Sequence, residues 1–275
     1  MSATGMWSSG AGATDQGPRA RNEDSYLSEG AVHIVADGMG GHQAGAAASN
    51  AVVDVFRELA HEVPVRPERI AEAVVKSQQA VLSVARSVGG ESGTTLTGAI
   101  AVEYAGAPWW MVINVGDSRT YLVHGGQAYQ ITRDHSHVQE LVDAGRITAA
   151  QAEGHPDSNI ITRAIGDGLP DFDAWLVPVV PGSRIVVASD GLTKVVRGAS
   201  IGAIASLAGT PQEAAERLVD AALALATNDN VTVVVADASD VTTPPGVDVA
   251  PWTLWGAHVD AGDDTTQTSH RRTRV

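Results

Sequence analysis

The sequence predicts an α+β fold in which sheet packs on sheet with helices outside, and three observations predict it. Two amphipathic helical stretches follow one another between Ala44 and Gly89 with no strand between them. Three strand-like runs then succeed each other between Thr94 and Gly126. No repeat of about 20–50 residues recurs along the chain, which disfavours solenoids and propellers. Strands grouped in the middle with paired helices fit neither a βαβ alternation nor a helical bundle, so layers remain. The 275 residues are 44% hydrophobic and 18% charged, a composition that supplies a large packed interior and excludes global disorder.

Ala31 to Gly38 (AVHIVADG) is a short apolar run closed by a glycine-rich turn, the pattern of a buried strand ending at Asp37. From Ala44 to Val63 the residues Val52, Val53, Phe56, Leu59 and Ala60 recur at helical spacing, and Pro64 and Pro67 punctuate that helix. Pro67 suits a first helical turn, and Ile70, Val74, Val75, Val81, Leu82 and Val84 carry a second helix to the stop at Gly89 and Gly90. Thr94 to Ala105, Trp109 to Gly116 and Ser118 to Gly126 read as an antiparallel meander. Residues 134–168 are polar, carry a helical pattern at His137 to Ala144, and form an excursion from the core. Ser183 to Gly191 is a strand with Asp190 at its end, Pro211 to Ala226 a helix, and Asn230 to Asp237 the last strand. Residues 1–240 are thus expected to form one domain and 241–275 a flexible tail, from which Trp252 and Trp255 could dock on the body.

The net charge of −14 argues against bare nucleic acid as a partner. With no cysteine there is no disulfide framework, zinc–thiolate site or thiolate nucleophile, so any metal must use oxygen or nitrogen ligands. The amino terminus lacks a basic-then-apolar leader, and no run reaches the roughly 18 apolar residues of a spanning helix. A cytoplasmic protein without membrane association is the expectation. Four aspartates sit at strand ends: Asp37, Asp117, Asp190 and Asp229. Each alone is more often a turn former or helix cap. Together, at semi-buried positions where unpaired charge is costly, they point to a shared cation. Gly38, Gly40 and Gly41 would let the backbone approach a ligand and offer a carbonyl. A dinucleotide loop fails because the third glycine of GxGxxG would fall on Gln43, and there is no GxxxxGK[ST] loop. Ser92 and Ser118 stand in GESGT and GDSRT, not in a GxSxG elbow.

Seven ordered motifs then carry a family likeness: RARNEDSYL (Arg19 to Leu27), VADGMGGHQAG (Val35 to Gly45), SGTTL (Ser92 to Leu96), NVGDSRTYL (Asn114 to Leu122), ITRAIGD (Ile161 to Asp167), ASDGL (Ala188 to Leu192) and NDNVTVVV (Asn228 to Val235). They resemble bacterial metal-dependent Ser/Thr protein phosphatases of the PPM, or protein phosphatase 2C, type. The resemblance implies a central antiparallel β-sandwich flanked by pairs of helices, with two Mn²⁺ or Mg²⁺ ions at one end. It makes Asp37 the bridge between both ions, the Gly38 carbonyl a ligand of one, and Asp190 and Asp229 the remaining ligands. Glu23 and Asp24 would hold metal-bound waters, and Asp117 would serve a third ion. The implied reaction is attack of a metal-bridging hydroxide on phosphoserine or phosphothreonine, with no phosphoenzyme. Arg19, four residues before Glu23, would grip the phosphate, with Arg21 as the alternative.

Two departures stand out. Met39 replaces the histidine that eukaryotic members offer as a general acid, leaving His42 or a metal-bound water as candidates. Lys194 stands four residues beyond Asp190, where an acid commonly serves the third ion, so that ion is expected to bind weakly. Lys194 would either replace part of its charge or lie away from the site. Residues 134–168 match the family's flap, and its His135, His137 and His155, without ligand spacing, read as structural or solvent-facing. The implied partners are phosphorylated Ser/Thr proteins, a Ser/Thr kinase or its substrates, with the chain acting as a monomer. A pseudophosphatase that binds phosphoproteins and a hydrolase of small phosphoesters are the alternatives.

Overall fold

The computed structural model describes residues 8–40, 44–62, 64–104, 106–179, 181–238, 252–255 and 271–272. Alternation along single strands explains the layers. In the strand Arg184–Ala188, Ile185 and Val187 face the interior between two sheets, whereas Val186 and Ala188 face helices. In Val231–Ala238, Val234 and Ala236 point inward while Val231, Val233 and Val235 point to the same helices. A sheet buried on both faces needs a nearly continuous apolar run, and the IVVA of one strand and the VVVA of the other supply it.

The chain begins with β1 (Ser8–Asp15), β2 (Asp24–Glu29) and β3 (Val32–Gly40), then the helix pair α1 (Ala44–Arg57) and α2 (Pro67–Val88). β4 (Ser92–Thr94), β5 (Leu96–Tyr104), β6 (Ala107–Val115), β7 (Arg119–His124) and β8 (Gln127–Gln130) follow. The excursion holds α3 (His137–Asp143) and α4 (Ala149–Ala152) and leads to β9 (Asp173–Pro178) and β10 (Arg184–Ala188). A single turn, α5 (Asp190–Thr193), precedes α6 (Gly198–Leu207), α7 (Pro211–Ala224) and β11 (Val231–Ala238). Last come β12 (Trp252–Trp255) and β13 (Arg271–Arg272).

One sheet has the order β1-β11-β10-β7-β8 and the other β13-β12-β9-β6-β5-β3-β2, with β4 paired to β3 outside that path. Every paired strand in both sheets is antiparallel. α1 and α2 cover the larger sheet and α6 and α7 the smaller, giving the expected sandwich between helix pairs. Gly89 ends α2 in the left-handed conformation at φ 65°, as the stop read from sequence requires.

The meander is corrected in one respect. β5 and β6 pair directly, but β7 leaves their sheet and pairs with β10 and β8 in the other. The crossing is made at Gly116, whose φ of 107° suits glycine and where a Cβ would lie 2.6 Å from the Thr95 side chain. Hydrogen bonds between Thr95 and Ser118 (2.8 Å) and between Thr97 and Thr120 (3.0 Å) then join the two sheets. Asp117 sits on this crossing. β1, β2, β8, β9, α4 and α6 have no counterpart in the sequence reading, and the strand expected to run to Gly191 stops at Ala188, with Asp190 opening α5 instead. β1, SSGAGATD, has no apolar alternation, and eight residues of backbone pairing with β11 make it a strand. Its glycines are dictated by the opposing sheet, since a Cβ on Gly12 would lie 2.4 Å from the Tyr26 ring.

Candidate functional site

Asp37 is carried on β3, whose backbone is fixed at that residue from two sides. The Asp37 N–H donates to Thr95 Oγ1 at 3.0 Å, and its carbonyl accepts from the Thr95 N–H and the Thr94 hydroxyl, both at 2.9 Å. Gly38 follows, and a Cβ there would lie 2.3 Å from the Gly45 carbonyl and 2.5 Å from that of Glu23, so only glycine permits this approach. Across the β2–β3 ladder Asp24 stands opposite Asp37. Its Oδ2 accepts from the Ser189 hydroxyl at 2.9 Å, which ties β2 to the end of β10. Asp190 opens the turn after β10, and Asp229 lies just before β11.

A cleft of about 660 Å³ gathers these segments, lined among others by Arg19, Arg21, Glu23, Asp37, Gly38, Met39, Asp117, Asp190, Lys194 and Asp229. The predicted site residues therefore meet in one place, with Asp24 behind Asp37. Lys194 is at the cleft and not away from it, with its ammonium on Asp190 Oδ2 and on Asn159 Oδ1 of the flap. Arg19 donates from Nη2 to Asp229 Oδ2 at 2.6 Å and from Nε to the Asn228 carbonyl at 2.9 Å. His42 lies outside the described residues.

The histidines of the flap do not reach the cluster of carboxylates. His135 is buried, accepts the Gly116 N–H on Nδ1 at 3.1 Å and faces Asp173 through Nε2 at 3.2 Å, a structural clamp on the sheet crossing. His155 accepts the N–H of Asp157 at 3.2 Å within its own turn.

Burial drives the electrostatics of the cluster. It lifts Asp37 well above the ordinary carboxylate range, and the neighbouring Asp24, Asp190, Asp117 and Asp229 add to the effect. Burial pushes Asp24 up to about 6 against hydrogen bonds from Thr232 and Ser189. It pushes Asp117 up to about 7, with Asp190 reinforcing and Lys194 opposing. Asp229 and Glu23 are raised too, again chiefly by burial. Asp24 Oδ1, Asp117 Oδ1 and Asp190 Oδ1 are buried without a hydrogen bond. Such oxygens cost free energy unless a cation claims them. An oxygen-only set of carboxylates beside a glycine carbonyl suits hard divalent ions such as Mg²⁺ and Mn²⁺, so these residues fit the expected ions. Among the described residues no three acidic or histidine side chains are already drawn into a closed ligand shell. Arg19 and Lys194 take one oxygen each of Asp229 and Asp190.

Asn230 was not legible as a site residue. It is buried, and its side chain makes three hydrogen bonds: its Oδ1 accepts the Glu23 N–H at 2.9 Å, and its Nδ2 donates to the carbonyls of Gln16 and Arg21, both at 2.8 Å. The loop bearing Arg19, Arg21 and Glu23 is thereby pinned to the start of β11. Its adjacency to Asp229 in NDNVTVVV is the signal that could have found it.

Comparison with known proteins agrees with this geometry. The family described as Protein phosphatase 2C matches residues 14–170. The serine/threonine protein phosphatase PstP of Mycobacterium tuberculosis (strain ATCC 25618 / H37Rv) is 37% identical over 227 residues, covering 81% of this chain and 43% of PstP. The chain thus spans less than half the length of that relative. Serine/threonine phosphatase stp of Listeria innocua is 34% identical over 216 residues, covering 75% of this chain and 84% of stp. A crystal structure of the M. tuberculosis phosphatase PstP/Ppp superposes with a TM-score of 0.78 at 34% identity, covering 84% of this chain and 99% of that one. A structure of the PstP catalytic domain in complex with two manganese ions gives a TM-score of 0.74 at 34% identity, over 85% of this chain and 99% of that one. A sandwich whose strand ends gather buried carboxylates, a matching family profile and relatives above 30% identity lead to one statement: the chain belongs to the protein phosphatase 2C family.

Proposed function

We propose that the chain is a metal-dependent Ser/Thr protein phosphatase hydrolysing phosphoserine and phosphothreonine on proteins and opposing a Ser/Thr kinase. The observation that carries this reading is the convergence of Asp24, Asp37, Asp117, Asp190 and Asp229 around a cleft, with three of their buried oxygens unclaimed. Asp37, Asp190, Asp229 and the Gly38 carbonyl would hold two ions, with Glu23 and Asp24 supporting them. Bound Mn²⁺ or Mg²⁺ supplies Lewis acidity, neutralising phosphoryl oxygens and activating the attacking water. Arg19 stands at the cleft with its Nε/Nη2 edge held by Asn228 and Asp229, which fixes the guanidinium plane and leaves the Nη1 end to meet a phosphate. Asn230 keeps that loop in register with Asp229. A third ion at Asp117 would be weakened because the Lys194 ammonium already occupies Asp190 Oδ2. We take residues 1–240 as the catalytic unit and 241–275 as a tail, of which Trp252–Trp255 pairs with β9. No helix among the described residues is long and apolar enough to cross a membrane.

The test is phosphate release from a phosphothreonine peptide in EDTA, Mg²⁺ or Mn²⁺, with Asp190→Asn beside the parent protein. Turnover is expected only with metal, and Asp190→Asn should lose at least about 100-fold. A folded parent protein without turnover in any metal would overturn the reading in favour of phosphoprotein binding.

A further inference from the structure

Lys194 holds two parts of the molecule at once. It caps the α5 turn, with its backbone N–H on the carbonyls of Asp190 and Leu192, so the ammonium is directed back along the turn to Asp190 Oδ2. The same nitrogen donates to Asn159 Oδ1 at 2.5 Å, 35 residues away in the returning limb of the flap. The two oxygens of Asp190 therefore divide. Oδ2 carries Lys194, whereas Oδ1 is buried with no hydrogen bond.

The returning limb of the flap is paired to the outgoing limb by the Ser136–Ile161 bridge and by the backbone hydrogen bonds His137 N–H to Ile160 and Thr162 N–H to His135, both 2.9 Å, and Lys194 adds a tie from that limb to the α5 turn. The roots of the flap are tied by the Arg119–Asp134 pair, by His135 on Gly116, and by mutual backbone bonds between Thr94 and Ile165. Between those roots α3 and α4 pack chiefly on each other and not on either sheet. Asn159 and Ile161 are the points at which this limb forms the cleft wall.

We propose that Lys194 is a flap-positioning residue, which suspends the returning limb of the flap from Asp190 through Asn159 and so sets the cleft wall that a substrate meets. The consequence for substrate choice rests on the phosphatase reading; the latch itself does not.

Hydrogen exchange of amides 155–163 tests it in the parent protein, Lys194→Met, Asn159→Ala and the double variant, with Lys194→Arg as the charge-retaining control. Each single change should speed exchange about three- to ten-fold, as expected for one partly exposed ion-pair relay. The double variant should exchange no faster than the singles, and Lys194→Arg should restore most of the protection. Unchanged exchange in both singles would overturn the proposal. So would acceleration in Lys194→Met alone, because the effect would then run through Asp190 without the flap contact. Peptide kinetics read the consequence separately: KM for a phosphothreonine peptide should rise several-fold in Asn159→Ala with a smaller change in kcat. Absence of turnover in the parent protein would sink the phosphatase reading and leave the exchange result standing.

Discussion

Asn230 shows how a single neutral residue can determine the placement of charged ones. It satisfies one donor and two acceptors of a loop that would otherwise leave them unpaired, while its own carbonyl lies where a Cβ on Gly191 would come within 1.9 Å. Asn230→Ala should lower the unfolding free energy by about 2–3 kcal/mol, read from urea midpoints, because buried polar groups lose their partners. A loss below about 0.5 kcal/mol would mean that water replaces them. His33 gives a pH-dependent case. It is buried, meets Ser28 Oγ at 3.0 Å and Trp110 edge-on at 5.8 Å, and burial pulls its pKa down to about 4. Below about pH 6.5 the unfolded chain takes up a proton that the folded chain refuses. Its stabilising contribution is therefore complete above pH 6.5 and is lost as pH falls toward 4, by at most about 3 kcal/mol. His33→Gln should remove that slope from the difference between the two proteins, and parallel stability curves from pH 7 to 4.5 would refute the assignment.

At the scale of elements, the helices were legible in period but not in purpose. Ile70, Val74 and Val81 of α2 are buried as their spacing implies, yet Val75 and Leu82 are 41% and 37% exposed. In their place the inner face carries Gln78, which accepts the Gly166 N–H at 2.7 Å and donates to the Leu169 carbonyl at 2.5 Å. The helix thus supports the end of the flap, a task that no hydrophobic period encodes. The strands were legible where both faces are apolar, as in β10 and β11, and invisible where contact with the other sheet demands small residues, as in β1. Capping is local and so should be predictable: Thr210 accepts the Glu213 N–H at 3.1 Å at the start of α7. Thr210→Ala should cost about 1 kcal/mol by thermal unfolding, with activity retained.

Across the whole molecule the carboxylate cluster sets stability against function. Asp117 is 5% exposed and one of its oxygens has no partner, so the metal-free protein carries a charge that it would be more stable without. Asp117→Asn in EDTA at pH 8 should be more stable than the parent by the order of 2 kcal/mol, by thermal or urea unfolding. Mn²⁺ at 100 times its dissociation constant should stabilise the parent by about 2.7 kcal/mol for one site, and Asp37→Asn should lose that gain. A parent protein whose unfolding ignores Mn²⁺ would contradict the cluster's assignment as a cation site. The layered α+β class, the helix pair α1 and α2, the helix α7, the buried strands and the aspartates at their ends were all legible from sequence, because periodicity, turn chemistry and motif order are local. Only the tertiary structure decided that β7 changes sheets at Gly116, that Asn230 pins the Arg19 loop, and that Lys194 joins Asp190 to the flap. Those contacts link residues 35 to more than 200 positions apart. They exist because packing two sheets and a flap around one end of the sandwich brings together groups whose mutual distance no local pattern records.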